Sequence, residues 1–127
     1  MSQIKSYREL RVYQSSFASA MEVFEISKRF PAEERYNLTD QIRRSSRSVC
    51  ANMTEGWRRR RFPAHFVSKL NDSETEAEET RVWLQFAAHS RYMPHEEADR
   101  LDEIYDGILG QIVRMANEPE KWCFPSR

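Results

Sequence analysis

Glycine occurs only three times in 127 residues and proline five times, too few of the turn formers that a fold of many short strands requires. Cysteine is scarcer still. Cys50 and Cys123 stand alone and fit neither a CxxC pair nor a zinc spacing, so no disulfide framework or structural zinc site is implied. No stretch approaches the roughly 20 uninterrupted apolar residues of a membrane span, and the opening MSQIKSYREL lacks the apolar core of a secretory signal. A cytoplasmic chain with free thiols is the expectation. The residues three before His65, His89 and His95 are Phe62, Phe86 and Tyr92, so the Glu-x-x-His pairs of a di-iron helical bundle are missing. No GxSxG, P-loop or dinucleotide fingerprint occurs. The acidic run Asp72, Glu74, Glu76, Glu78 and Glu79 does not converge on one ion, because alternate positions on a helix diverge by about 200°. The expectation is a protein that is not an enzyme and carries no cofactor and no metal.

What is present is helical pattern and charge. Charged residues make up 31% of the chain, and the length suits one domain spanning residues 1–127. Four amphipathic segments predict an all-α fold, an antiparallel up-down-up-down four-helix bundle, with helices over about residues 6–30, 37–57, 63–91 and 94–117 and a tail over 118–127. Ser6 and Glu9 have capping-box spacing, and Leu10, Tyr13, Phe17, Ala20 and Phe24 form the expected core stripe of the first helix. Asn37 suits the cap of the second, with Asp40 in its first turn and Leu38, Ile42, Ser45, Val49 and Asn52 along its seam. Pro63 suits the first turn of the third, whose seam Phe66, Leu70, Ser73, Ala77, Thr80, Leu84 and Ala87 is small and polar at its centre. Pro94 opens the fourth, where Ala98, Leu101, Tyr105, Ile108, Ile112 and Met115 continue unbroken to Pro119.

A second apolar set runs beside these seams: Val12, Val23 and Ile26, then Val67, Trp83 and Phe86, then Ile104 and Val113. It reads either as the edge of a wide core or as a contact surface between subunits. Trp122 and Phe124 in the tail pose the same question.

The net charge of zero hides a division along the chain. Residues 1–63 hold thirteen basic and seven acidic side chains, a net of +6, and residues 64–127 hold seven and thirteen, a net of −6. Arg43, Arg44 and Arg47 are followed by the run Arg58, Arg59, Arg60 and Arg61, flanked by Trp57 and Phe62. Arginine presents a planar fork to phosphate oxygens, and neighbouring aromatics stack on unpaired bases, so the segment points to RNA. The competing reading is a basic rim that pairs with the acidic third or fourth helix of a neighbouring subunit. Arg60 and His65 also have the Arg-x4-His spacing of helical ribonuclease domains of the HEPN type, although there the motif lies within one helix and here Pro63 interrupts it.

The segment QIRRSSRSVCANMTEG, residues 41–56, is similar to the bacterial four-helix bundle family of 23S rRNA intervening-sequence proteins, whose relatives include accessory proteins of diversity-generating retroelements. YRELRVYQSSFASAMEVF, KRFPAEERYNLTDQIRR and DSETEAEETRVWLQFAAHSRYM follow the same order, so the resemblance covers nearly the whole chain. Its motif falls on Gln41, Arg43, Arg44, Ser48, Asn52, Glu55 and Gly56, with Ser73 and Glu76 on the third helix. Ser45 and Met53 stand where relatives often have alanine and isoleucine, and Asp72 where glycine is common. The resemblance implies a non-catalytic homo-oligomer, typically a pentameric ring, that in the retroelement relatives binds a reverse transcriptase and RNA. Ser45, Asn52, Ser73 and Thr80 lie on expected seams, and for Asn52 and Ser73 a buried hydrogen-bonded layer is the favoured role over RNA contact. A protein-interaction module that binds no nucleic acid is the alternative to an RNA-binding scaffold.

Overall fold

The structure is a computed structural model that describes residues 4–125; the outermost positions of the expected domain and tail, residues 1–3 and 126–127, lie outside it. Four long helices carry the fold: α1 Arg11–Ser27, α2 Asp40–Arg58, α3 Pro63–His89 and α4 His95–Asn117, followed by a short α5, Pro119–Trp122. No strand occurs among the described residues. Each long helix packs on its neighbours in sequence, and α1 closes the set by packing on α4. No helix among the described residues is long and apolar enough to cross a membrane.

The seams of α3 and α4 read from sequence are buried at every position, including Phe66, Leu70 and Leu101, each 0% exposed. The first helix differs. Ser6 accepts from the Arg8 amide, but it caps a separate 3-10 turn, Tyr7–Glu9, and the Glu9 carboxylate accepts from the Lys5 amide. Leu10, extended at φ −69° and ψ 128°, breaks the backbone before α1 begins at Arg11. The buried face of α1 is Val12, Ser16, Ser19, Ala20, Val23, Ile26 and Ser27. Of the expected stripe, Leu10 and Ala20 are buried, but Phe17 is 53% exposed and Tyr13 and Phe24 are only half-buried. Two of the three buried serines are tolerated because their hydroxyls find acceptors, Ser16 donating to the Val12 carbonyl at 2.7 Å and Ser27 to that of Phe24 at 3.0 Å.

Asn37 does not cap α2, because it sits within a π-helical turn, Arg35–Thr39, that runs straight into the helix through a helical Thr39. Asp40 does occupy the first turn of α2. Leu38, Ile42, Ser45 and Val49 are buried as expected, but Met53 takes the interior position assigned to Asn52. The far end of α3 closes on Arg91 at φ 65°, the left-handed backbone that glycine adopts more readily.

A polar layer joins α2 to α3. The Ser45 and Thr80 hydroxyl oxygens lie 2.8 Å apart, and Ser73 donates to the Val49 carbonyl at 2.7 Å; both are buried. Asn52 stands outside this layer, donating to the Ser48 carbonyl one turn back at 2.9 Å. Ion pairs tie the outer edges: Arg44 to Glu79 at 3.1 Å, Lys69 to Glu55 at 3.0 Å, Arg81 to Asp102 at 2.8 Å and Arg100 to Glu22 at 2.8 Å.

Burial raises two acidic groups of the interior. It pushes the Cys50 thiol from its ordinary value near 9 to about 11, and it also raises Tyr105, whose hydroxyl is buried with no hydrogen-bond partner. The unfolded chain loses these protons first as pH climbs, so the stability is whole below about pH 9 and falls between about pH 9 and 11. The two-unit shift of Cys50 is worth at most about 2.7 kcal/mol, less for a thiol that is only part-buried. Thermal melts across this window are expected to show the decline, and Cys50→Ser to flatten part of it; identical slopes for the two chains would contradict this.

Candidate nucleic-acid interface

The seven arginines of the basic segment do not form one patch. Arg43, Arg44 and Arg47 lie early on α2, and the Arg58–Arg61 run lies at its far end, some 15 residues or about 22 Å along the axis. Their partners differ as well. Arg43 donates from Nε to the Ser27 hydroxyl at 2.7 Å and stands 4.8 Å from the centre of the Phe24 ring. Arg47 stands over the same ring at 5.5 Å. Arg44 is held by Glu79 at 3.1 Å and Glu76 at 3.7 Å, so an acidic third helix does pair with it, but that of its own chain. Asp40, Arg43, Arg44, Arg47, Ser48 and Ala51 line a shallow groove of about 440 Å³ along this stretch.

The Arg58–Arg61 turn links α2 to α3. Arg58, Arg59 and Arg61 are exposed, and none of the run has a carboxylate within ion-pair distance among the described residues. Arg60 is set apart from the other three. Its guanidinium lies 3.6 Å from the centre of the Trp57 ring and 4.7 Å from that of Phe124, and Nε donates to the Trp57 carbonyl at 2.8 Å. Burial lowers its pKa. The tail completes this cluster, because Trp122 packs edge-on against Trp57 at 6.3 Å and the Phe124 amide donates to the Arg60 carbonyl at 3.1 Å. Trp57 is therefore enclosed, while Phe62 and Phe124 remain 52% and 50% exposed beside the arginines, with Arg61 5.5 Å from the Phe62 ring centre and Arg60 4.7 Å from that of Phe124. Sequence reading placed Phe62 beside the arginines but singled out Phe124 only as a tail aromatic, because chain distance hides its contact with Arg60.

Arg60 and His65 are not brought together: Arg60 faces Trp57 and Phe124, while His65 lies beside Phe62 at 5.5 Å between ring centres. The remaining motif residues are structural in their contacts. Gln41 donates to the Tyr36 carbonyl at 3.4 Å, Glu55 pairs with Lys69, and Ser48 supplies the carbonyl that Asn52 uses. Gly56 lies where α2 meets α3, with a Cβ there reaching within 3.4 Å of the Phe66 carbonyl. Glu76 holds Arg44 with one carboxylate oxygen while the other is buried without a partner. No group of three or more His, Cys, Asp or Glu side chains among the described residues is disposed to hold a metal ion.

Residues 8–114 match the family model described as 23S rRNA-intervening sequence protein. Among solved structures the chain is similar to a protein of unknown function from the S23 ribosomal protein family of Bacteroides thetaiotaomicron. The two are 25% identical, the match covers 83% of this chain and 97% of that one, and the TM-score is 0.74. No curated protein matches.

Proposed function

The chain belongs to the 23S rRNA-intervening sequence protein family, and from that premise we propose that it is a non-enzymatic, homo-oligomeric scaffold that holds RNA or a ribonucleoprotein through its arginine-rich corner. The observation that carries this is the run Arg58, Arg59 and Arg61, exposed together with no carboxylate among the described residues to neutralise it and with Phe62 and Phe124 alongside. A solvated protein surface intersperses charges of both signs; an uncompensated cluster with stacking faces suits phosphates and unpaired bases.

Antiparallel up-down-up-down packing is supported by the cross-helix pairs. Arg44 meets Glu79 and Glu55 meets Lys69, so position rises on α2 as it falls on α3, and Glu22 with Arg100 and Arg29 with Glu97 run the same way between α1 and α4. A ring, pentameric as in the relatives the sequence resembles, multiplies a weak patch, and several modest contacts then add up to useful avidity. A cytoplasmic setting keeps Cys50 and Cys123 as thiols. A reverse transcriptase bound to its RNA is the partner this resemblance favours. The second reading, contact with protein alone, draws on Arg44, whose charge is already spent on Glu76 and Glu79; it fits the early part of α2 better than the corner.

Salt separates the two. Each phosphate neutralised on a single strand adds about −0.7 to the slope of log affinity against log salt, so three free arginines per subunit give a slope near −2 for each corner engaged. Binding of an unstructured RNA is expected to fall accordingly between low and physiological salt, and a flat response overturns the proposal.

A further inference from the structure

The connection between α3 and α4 brings two histidines together, far from the arginine corner. His89 closes α3 and His95 opens α4, and the turn between them passes through Arg91 at φ 65°. Their rings stand 5.1 Å apart between centres, at an interplanar angle of 85°. Both are exposed, and neither ring makes a hydrogen bond among the described residues, so the nitrogens are open to solvent. A separation of six positions conceals the pair in the sequence, because it becomes closeness only once the chain has turned.

Both rings line a groove of about 460 Å³ between the two helices. The carboxylates of Glu78, Asp99 and Asp102 share it, against the single guanidinium of Arg81. Arg81 is already engaged, by Asp102 at 2.8 Å and Glu78 at 3.2 Å. Asp99 has no ion pair among the described residues and lies one helical turn beyond His95, which places the two on the same side of α4. A cation entering between the rings therefore meets an unpaired negative charge, together with the negative end of the α3 dipole.

The spacing of the rings selects among cations. Zinc binds an imidazole nitrogen at about 2.0–2.1 Å and so lies roughly 3.2 Å from the ring centre; two rings at the tetrahedral angle then have centres about 5.2 Å apart. His89 and His95 already stand at nearly that separation. Turning the two exposed side chains about their own bonds brings one nitrogen of each to the shared point without moving a helix. We infer that His89 and His95 form an open two-histidine site for a transition-metal dication of the zinc type, which clips the end of α3 to the start of α4. Two protein ligands are fewer than the three or four of a catalytic or structural zinc centre, and no third His, Cys, Asp or Glu among the described residues is placed to complete one. Water fills the remaining positions, so the ion exchanges readily and its role is to hold the turn rather than to supply chemistry. Imidazole favours zinc, nickel or copper over magnesium and calcium, which take oxygen ligands. The site depends neither on RNA binding nor on assembly.

Zinc added to the full chain tests this. Calorimetry is expected to find one ion per chain, and the melting temperature to rise by about 5 °C at a free zinc concentration ten times the dissociation constant. Magnesium at the same concentration should leave it unchanged. His89→Ala and His95→Ala should each abolish the zinc effect without lowering the metal-free melting temperature, since both side chains are exposed. His65→Ala, which removes a ring beside Phe62 at the opposite end of α3, should keep the effect in full. Substoichiometric copper is expected to broaden the ring-proton resonances of His89 and His95 before those of His65. Absence of any zinc effect, an effect that survives the loss of either histidine of the pair, an equal effect from magnesium, or one ion shared between two chains overturns the inference.

Discussion

Replacing Arg58, Arg59 and Arg61 together with serine is expected to lower affinity for unstructured RNA about a hundredfold at physiological salt, with the assembled mass and the melting temperature unchanged. The three side chains are exposed and make no ion pair among the described residues, so removing them takes nothing from the fold. Each lost phosphate contact also removes its share of the salt dependence, and the slope should flatten by about 2. Arg60→Ser is expected to do the reverse. Its guanidinium fills the space between Trp57 and Phe124, and its loss costs roughly 1–2 kcal/mol of stability through the ring contacts and the bond to the Trp57 carbonyl. Filter binding at two salt concentrations, beside thermal melts of both variants, reads the split. Were the triple variant to keep its affinity, the corner would not be the RNA site; were it to lose mass instead, those arginines would belong to a subunit contact.

How far the sequence discloses this depends on what each helix buries. On α4 one apolar stripe dominates and periodicity alone places it, whereas on α3 the buried seam holds although Val67, Val82, Trp83 and Phe86 lie off it. On α1 two stripes compete. The aromatic one, with Tyr13, Phe17 and Phe24, is the more hydrophobic, yet the interior takes the one containing Ser16, Ser19 and Ser27. Hydrophobic periodicity discounts serine, although a helix-bonded serine is small and satisfied enough for a close crossing. The basic segment was legible as composition but not as geometry: nothing local distinguishes Arg60 from its neighbours, and the Phe124 that singles it out lies 64 positions away in the chain.

Phe62 and Phe66 set the sharpest contrast in the molecule, one turn apart at the start of α3 and joined by the bond from the Phe66 amide to the Phe62 carbonyl at 3.0 Å. Phe66 is 0% exposed and packs where α2 and α3 approach at Gly56, whereas Phe62 is 52% exposed beside Arg61. Phe66→Ala is expected to cost about 3–5 kcal/mol, from the lost burial and the cavity left among side chains that cannot close it. That approaches the whole stability of an ordinary small domain, so the variant should be largely unfolded near 37 °C by circular dichroism. Phe62→Ala should change stability by less than about 0.5 kcal/mol and instead weaken single-stranded RNA binding, since a base stacked on an aromatic ring is worth roughly 1–3 kcal/mol. The same substitution should leave binding to a fully paired duplex untouched, because its bases offer no face to stack. If Phe62→Ala lowered affinity for both forms equally, the corner would be reading phosphates alone, and the exposed ring would have to be explained by contact with protein.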